Sequence, residues 1–180
     1  REGLTDLFRR FPEQMSFVAA DLRESRGRQA VVEAAREVGG VNALINAAGI
    51  NRFALLEQVS DAEIDDLITL NVTAAVQLTR SVLPLLRSRP RALIVNVGST
   101  YGSIGYPGYA AYCASKFALR GFSQALRREL ADTGVRVLYV APRATRTAMN
   151  GSAAMALNAA LNVRVDAPER VAHAVTKAVQ

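Results

Sequence analysis

The feature that most constrains how this chain can fold is an alternation of short apolar runs with longer stretches of helical periodicity. The runs are MSFVAAD at 15–21, VNALINAA at 41–48, RALIVNVGS at 91–99 and VRVLYVAP at 135–142. Each is almost continuously apolar, which fits strands covered on both faces rather than strands with a wet side. Helical patterns fall between them, at about 25–38, 61–88, 112–132 and 167–179. Strands that alternate with helices in this way predict an α/β fold with a parallel sheet and helices on both of its faces.

The second helix has the best-marked start. Ser60 precedes SDAE-type spacing to Glu63, so the serine hydroxyl can cap the helix while the glutamate reaches back, a capping box. Ile64, Ile68, Ala75, Leu78 and Val82 then recur at three- and four-residue steps and form an apolar stripe. Asn71 falls on that stripe. A buried amide needs partners, so Asn71 either satisfies nearby backbone or serves a polar site, and spacing alone favours the structural role.

With 180 residues, half of them hydrophobic, the chain suffices for one domain around one core. The formal charge of +6 is spread as RR, RSRPR and RR between apolar runs, with no continuous basic stripe interleaved with aromatics. That pattern argues for a solvated face and against a nucleic-acid partner. A single cysteine, Cys113, rules out an internal disulfide, and a single histidine, His173, gives no cluster for a metal. No apolar run approaches the about 18 residues of a membrane span, and the charged start REGLTDLFRR is unlike a signal peptide, so a cytoplasmic location is expected. The least regular stretch, 148–165, reads as a lid or as a loop with a short helix.

Several chemically capable residues sit at or just past strand ends, where open parallel sheets place their ligand crevice. They are Asp21, the NAAG of 46–49, Ser99 and the APRATRT of 141–147. In AAYCASKFAL at 110–119, Tyr112 and Lys116 are four residues apart, which on a helix sets a phenol beside an ammonium on one face. Ser99 lies 13 residues before Tyr112.

In this order and spacing, the Asn, the Ser and the Tyr-x-x-x-Lys resemble the active site of the short-chain dehydrogenases/reductases, as does the upstream strand-end NAAG. The resemblance covers essentially the whole chain and implies a Rossmann-like, doubly wound parallel sheet. It also implies that Asn71, Ser99, Tyr112 and Lys116 form a catalytic tetrad. Cofactor binding would fall to Asp21 and Leu22 at the adenine edge and to Asn46, Ala47, Ala48 and Gly49 along the ribose and the central sheet. Tyr112, Lys116, Pro142, Thr145 and Thr147 would hold the nicotinamide end.

The implied activity is NAD(P)-dependent interconversion of a secondary alcohol and a carbonyl compound. Hydride transfer to a carbonyl builds negative charge on oxygen, which Ser99 would stabilise and Tyr112 would protonate. Lys116 would lower the phenol pKa from its usual value of about 10 and hold the ribose, and Asn71 would anchor a proton relay. The alternative is a non-catalytic binding or regulatory protein that kept the scaffold but lost the cofactor.

Two departures from the family pattern stand out. Its usual Pro-Gly is Pro142-Arg143 here, which sets a bulky side chain near the nicotinamide. The glycine-rich phosphate loop and its flanking strands, which would precede residue 1, are missing, so the domain is expected to be incomplete at its N-terminus and a portion of a longer polypeptide, trimmed also after the last helix. NADP is favoured over NAD on Arg1, read as the end of a basic group that meets a 2′-phosphate. A moderately apolar small-molecule carbonyl compound is the expected substrate, since Tyr101, Ile104 and Tyr106 are expected to border the pocket. The family also pairs through its long helices, implying a homodimer or homotetramer in which Ala118, Phe122, Ala125 and Leu126 either meet a neighbour or pack within the domain.

Overall fold

A computed structural model of the chain describes residues 9–147 and 149–179. Three strands, β1 (Ala43–Asn46), β2 (Ala92–Val97) and β3 (Val135–Val140), form a parallel sheet in the order β1-β2-β3. Ala43 pairs with Leu93 and Asn46 with Asn96, while Ala92 pairs with Val135 and Val97 with Val140. The three strand expectations at 41–48, 91–99 and 135–142 therefore hold, each shortened by a residue or more.

The first run behaves differently. Residues 15–21 adopt no regular structure, and the Phe17 and Val18 side chains are 69% and 43% exposed. Apolar and β-branched content makes a strand only where a neighbouring edge accepts its backbone, and no strand lies beside this stretch among the described residues. For the same reason β1 is an edge here, and Ile45 is 54% exposed rather than buried.

The helices are α1 (Ser25–Glu37), α2 (Asp61–Ile68), α3 (Ala75–Arg87), α4 (Ala110–Glu129), α5 (Ser152–Ala160) and α6 (Pro168–Val179). Ser60 and Glu63 form the expected capping box at the start of α2, with Glu63 N–H on Ser60 Oγ at 3.3 Å and Ser60 N–H on the Glu63 carboxylate at 2.9 Å. The expected single helix over 61–88 contains a π-helical insert, Thr69–Ala74, between α2 and α3. Part of the 148–165 segment condenses into α5.

Val32 of α1, Leu78, Val82 and Leu86 of α3, and Leu126 of α4 pack with Ile94, Val135 and Val137 on one face of the sheet. Phe122 and Leu126 point into this core, so they pack within the domain, whereas Ala118 and Ala125 are exposed. A polar chain crosses the core: Asn46 Nδ2 donates to Thr79 Oγ1 and Asn96 Oδ1, and Asn96 Nδ2 donates to Ser123 Oγ. Since Asn46 and Asn96 are register partners, these bonds bolt α3 and α4 to a fixed position on the sheet. The opposite face carries Val97, which lines a cleft together with Val171 and Val175 of α6.

Candidate active site

The cleft opens at the C-terminal ends of the strands and has a volume of about 520 Å³. Ser99, Tyr112 and Lys116 all line it, so the serine after β2 and the two residues of α4 converge on one space. Ala47, Gly49, Pro142, Thr145 and Thr147 line it as well. Asn46 does not, because its amide is spent inside the core, and Asn71, 1% exposed, is also absent from its wall, as are Ala48, Asp21 and Leu22. Asp21 instead pairs with Arg23 at 2.7 Å, and hydrogen bonds from Arg23 hold its carboxyl down at about 2. Arg1 lies outside the described residues.

Ser99, Tyr112 and Lys116 are each oriented by the element that carries them. Ser99 has extended backbone geometry and caps the short 3-10 turn Thr100–Gly102, its Oγ accepting the Tyr101 N–H at 3.1 Å. The hydroxyl hydrogen is thereby left for Tyr112, whose phenol receives a hydrogen bond from Ser99. Tyr112 and Lys116 occupy successive turns of α4, and the Lys116 ammonium lies 5.6 Å from the centre of the Tyr112 ring. Only 5% of Lys116 is exposed, and its Nζ finds one acceptor among the described residues, Val97 O at 3.3 Å. An ammonium has three donors, so two are directed to whatever fills the cleft.

Asn71 sits in the π-helical insert, a distortion that often re-aims side chains at functional sites. Its Oδ1 accepts the Ile50 N–H at 2.9 Å, while Nδ2 donates to Ile50 O at 2.9 Å and to Ser115 Oγ at 3.0 Å. Both amide hydrogens are used, which satisfies the structural role expected of it, and one lone pair on Oδ1 is left over. A Cβ at Gly49 would come within 3.0 Å of that Oδ1 and 3.5 Å of Lys116 Nζ, so the loop after β1 approaches both groups closely.

Burial is the largest influence on both titratable groups of the pair. Burial pushes the Tyr112 phenol up to about 12, with a hydrogen bond from Ser99 pulling against it. Burial also lowers Lys116 to about 8. Desolvation is the largest cause of both shifts, and Lys116 still carries its proton at neutral pH. Tyr112 is thus held neutral at ordinary pH.

Several residues outside the expected set build this corner. Ser115 donates to Tyr112 O at 2.7 Å and receives the Asn71 amide, tying α4 to the π-helical insert. Tyr139 of β3 holds the Ser99 backbone. Its signal was the period of two in VRVLYVAP, which puts Tyr139 on the side of Val135 and Val137, facing α4. Arg143, in the place of the family's glycine, turns its guanidinium onto Asp166 in a two-pronged pair at 2.6 and 2.9 Å.

The short chain dehydrogenase family model matches residues 2–158. Nodulation protein G of Rhizobium sp. (strain N33) is 38% identical over 117 residues, 65% of this chain and 48% of that protein. The 3-oxoacyl-(acyl-carrier-protein) reductase of Vibrio cholerae is 39% identical over 113 residues, 63% of this chain and 46% of that protein. The chain therefore spans about half the length of the curated relatives it matches. Among solved structures, a short-chain dehydrogenase from Streptomyces avermitilis superposes with a TM-score of 0.87 at 28% identity, covering 99% of this chain and 71% of that one. A 4-hydroxyisoleucine dehydrogenase solved with NADH superposes with a TM-score of 0.85, at 23% identity, over 100% of this chain and 78% of that one, a likeness of fold. The residues lining the cleft fit a nicotinamide nucleoside: Lys116 presents spare donors, and Pro142, Thr145 and Thr147 edge the same space.

Proposed function

We propose that this chain, which belongs to the short chain dehydrogenase family, forms the reacting part of an NAD(P)-dependent oxidoreductase that interconverts a secondary alcohol and a carbonyl. The observation that carries this reading is the convergence of Ser99, Tyr112 and Lys116 on one cleft. A bound nicotinamide would supply the hydride in reduction and accept it in oxidation.

The chain's own groups do the rest. Ser99 Oγ, its lone pair engaged by Tyr101 N–H, turns its hydrogen to the substrate oxygen and stabilises the charge that develops there. Tyr112, neutral because it is buried, delivers the proton to the same oxygen. Lys116 directs its spare donors to the ribose hydroxyls, and a water on the free lone pair of Asn71 Oδ1 connects Lys116 to solvent. Thr145 and Thr147 would hold the nicotinamide end and Ala47 and Gly49 the ribose, since all four line the cleft. Cofactor choice goes to NADP, on the basic residue Arg1.

The test follows NADPH and NADH oxidation by the intact protein with ethyl acetoacetate and with acetophenone. Turnover with at least one carbonyl, abolished to below about one part in a thousand by Tyr112→Phe with the melting temperature retained, is the expected result. Absence of turnover with either carbonyl, or full turnover in the Tyr112→Phe protein, would remove the reading. A stronger response to NADH than to NADPH would reverse the cofactor choice alone.

A further inference from the structure

Tyr139 does not line the cleft, yet its hydroxyl meets both segments that supply the reacting groups. It accepts the Ser99 N–H at 3.3 Å, donates toward Ser99 O at 3.2 Å, and lies 3.5 Å from Lys116 O. These contacts fill a definite gap. On either side of Ser99 the backbone still bonds to β3 and its extension, with Gly98 N–H on Val140 O at 2.8 Å and Thr100 N–H on Pro142 O at 3.0 Å. The N–H of Ser99 has no partner in that ladder and is met by the phenol of Tyr139, which also reaches the Ser99 C=O beside the Gly102 N–H that bonds it at 2.9 Å.

Two glycines make the approach possible. A Cβ at Gly98 would fall 2.1 Å from the Tyr139 ring and hydroxyl, and one at Gly102 would fall 2.2 Å from the same hydroxyl. The phenol is therefore enclosed between the strand end, the 3-10 turn and α4. Arg120 of α4 closes the far end of that turn, with NH1 on Ser103 Oγ at 2.8 Å.

We infer that Tyr139 is a positioning residue for the reaction: its hydroxyl fixes the Ser99 backbone relative to α4, and so sets where Ser99 Oγ stands with respect to Tyr112. The inference rests on the catalytic reading of Ser99. A side chain that only supported the fold would be replaceable by any group that fills the same volume. One that positions Ser99 loses its effect once Ser99 has no hydroxyl to position.

The test compares Tyr139→Phe, Ser99→Ala and the double variant in the intact protein, measuring kcat, both KM values and the melting temperature with the fastest carbonyl probe above. Tyr139→Phe is expected to lower kcat by about 10- to 100-fold, as a displacement of about 1 Å at a reacting group does, with the nucleotide KM changed by less than about twofold. Added to Ser99→Ala, the same substitution is expected to lower kcat by less than about twofold further. Unchanged kcat in Tyr139→Phe, an equal loss in both backgrounds, or a collapse of the melting temperature would each overturn the inference while leaving the reading of Ser99 intact. Full activity in Ser99→Ala would instead overturn the reading on which it rests.

Discussion

The two walls of the cleft are built by different physics. On one side, β2, β3 and α4 hold Ser99, Tyr112 and Lys116 through buried contacts: the Asn46–Asn96–Ser123 chain, the Asn71–Ser115 link and the glycine-lined seat of Tyr139. On the other side, the described residues of 143–166 carry fewer buried bonds: the half-exposed Arg143 pairs with Asp166, a short parallel bridge joins Thr145 to Asp166, and the weakly patterned helix α5 is anchored by Ala154 on the buried cluster of Tyr109, Tyr112 and Cys113. Buried bonds in a low-dielectric interior fix positions to fractions of an ångström, whereas exposed ion pairs are screened and exchange with water. The wall that carries Ser99, Tyr112 and Lys116 is thus the rigid one, and the wall that carries Arg143 and α5 is the adjustable one.

The rigid wall should be intolerant of a single added methyl. Gly98→Ala drives a Cβ into the Tyr139 ring, and the ring can yield only by leaving Ser99. The expected result is a stability loss of about 1–3 kcal/mol together with a fall in kcat of at least about tenfold. Urea denaturation and steady-state rates on the same preparation measure the two. Wild-type stability and turnover in that variant would mean the corner is no tighter than the opposite wall.

Burial of Lys116 makes the rigid wall sensitive to pH in a defined direction. The folded chain releases the Lys116 proton at about 8, against 10.5 for the group in an open chain. Between those values the unfolded state binds more protons, so folding stability without nucleotide rises with pH, by at most about 1.4 kcal/mol per pH unit. Tyr112 works the other way above 10, since the folded chain keeps its proton to about 12 and the unfolded chain does not, so the Lys116 effect is cleanest between pH 8 and 10. Denaturation midpoints at three pH values in that window, for wild type and Lys116→Met, provide the measurement. A slope that survives the substitution would assign it to other groups.

How much of each wall can be read from the sequence follows from the same distinction. Ser99, Tyr112 and Lys116 are legible because a strand end and an i, i+4 pair fix their directions locally, and the three apolar runs that find neighbours become β1, β2 and β3. The run at 15–21 has the composition of a strand but no adjacent edge among the described residues, a property of the surroundings rather than of the run. The π-helical insert at Asn71 is invisible in an apolar stripe that continues through it, because the extra residue per turn is set by the bonds of Asn71 to Ile50, 21 residues away. Tyr139 shares its strand face with Val135 and Val137, but that its hydroxyl reaches Ser99 depends on the pairing register of β2 and β3. Likewise, the spacing sets Lys116 beside Tyr112, but that both are buried, with pKa values shifted by that burial, depends on the packing around them.

The adjustable wall gives the smallest expected effect and the sharpest contrast. Arg143 stands where the family has glycine, and its guanidinium spans to Asp166, whose backbone N–H bonds to Ala144 O at 2.8 Å and whose C=O receives the Arg146 N–H at 2.9 Å. Hydrogen bonds from Arg143 keep the Asp166 carboxyl below its ordinary range, so the strap holds at neutral pH and loosens only in acid, as that carboxyl takes up a proton. Arg143→Ala removes the strap but leaves the backbone bridge. The carbonyl KM should rise by roughly two- to tenfold while kcat stays within about twofold, the pattern of binding lost equally from ground and transition states. Melting should scarcely change, because an exposed pair adds little to stability. A large fall in kcat would place Arg143 with the rigid wall after all, and would mean that the residue in the family's glycine position orients the reacting groups rather than shaping the entrance.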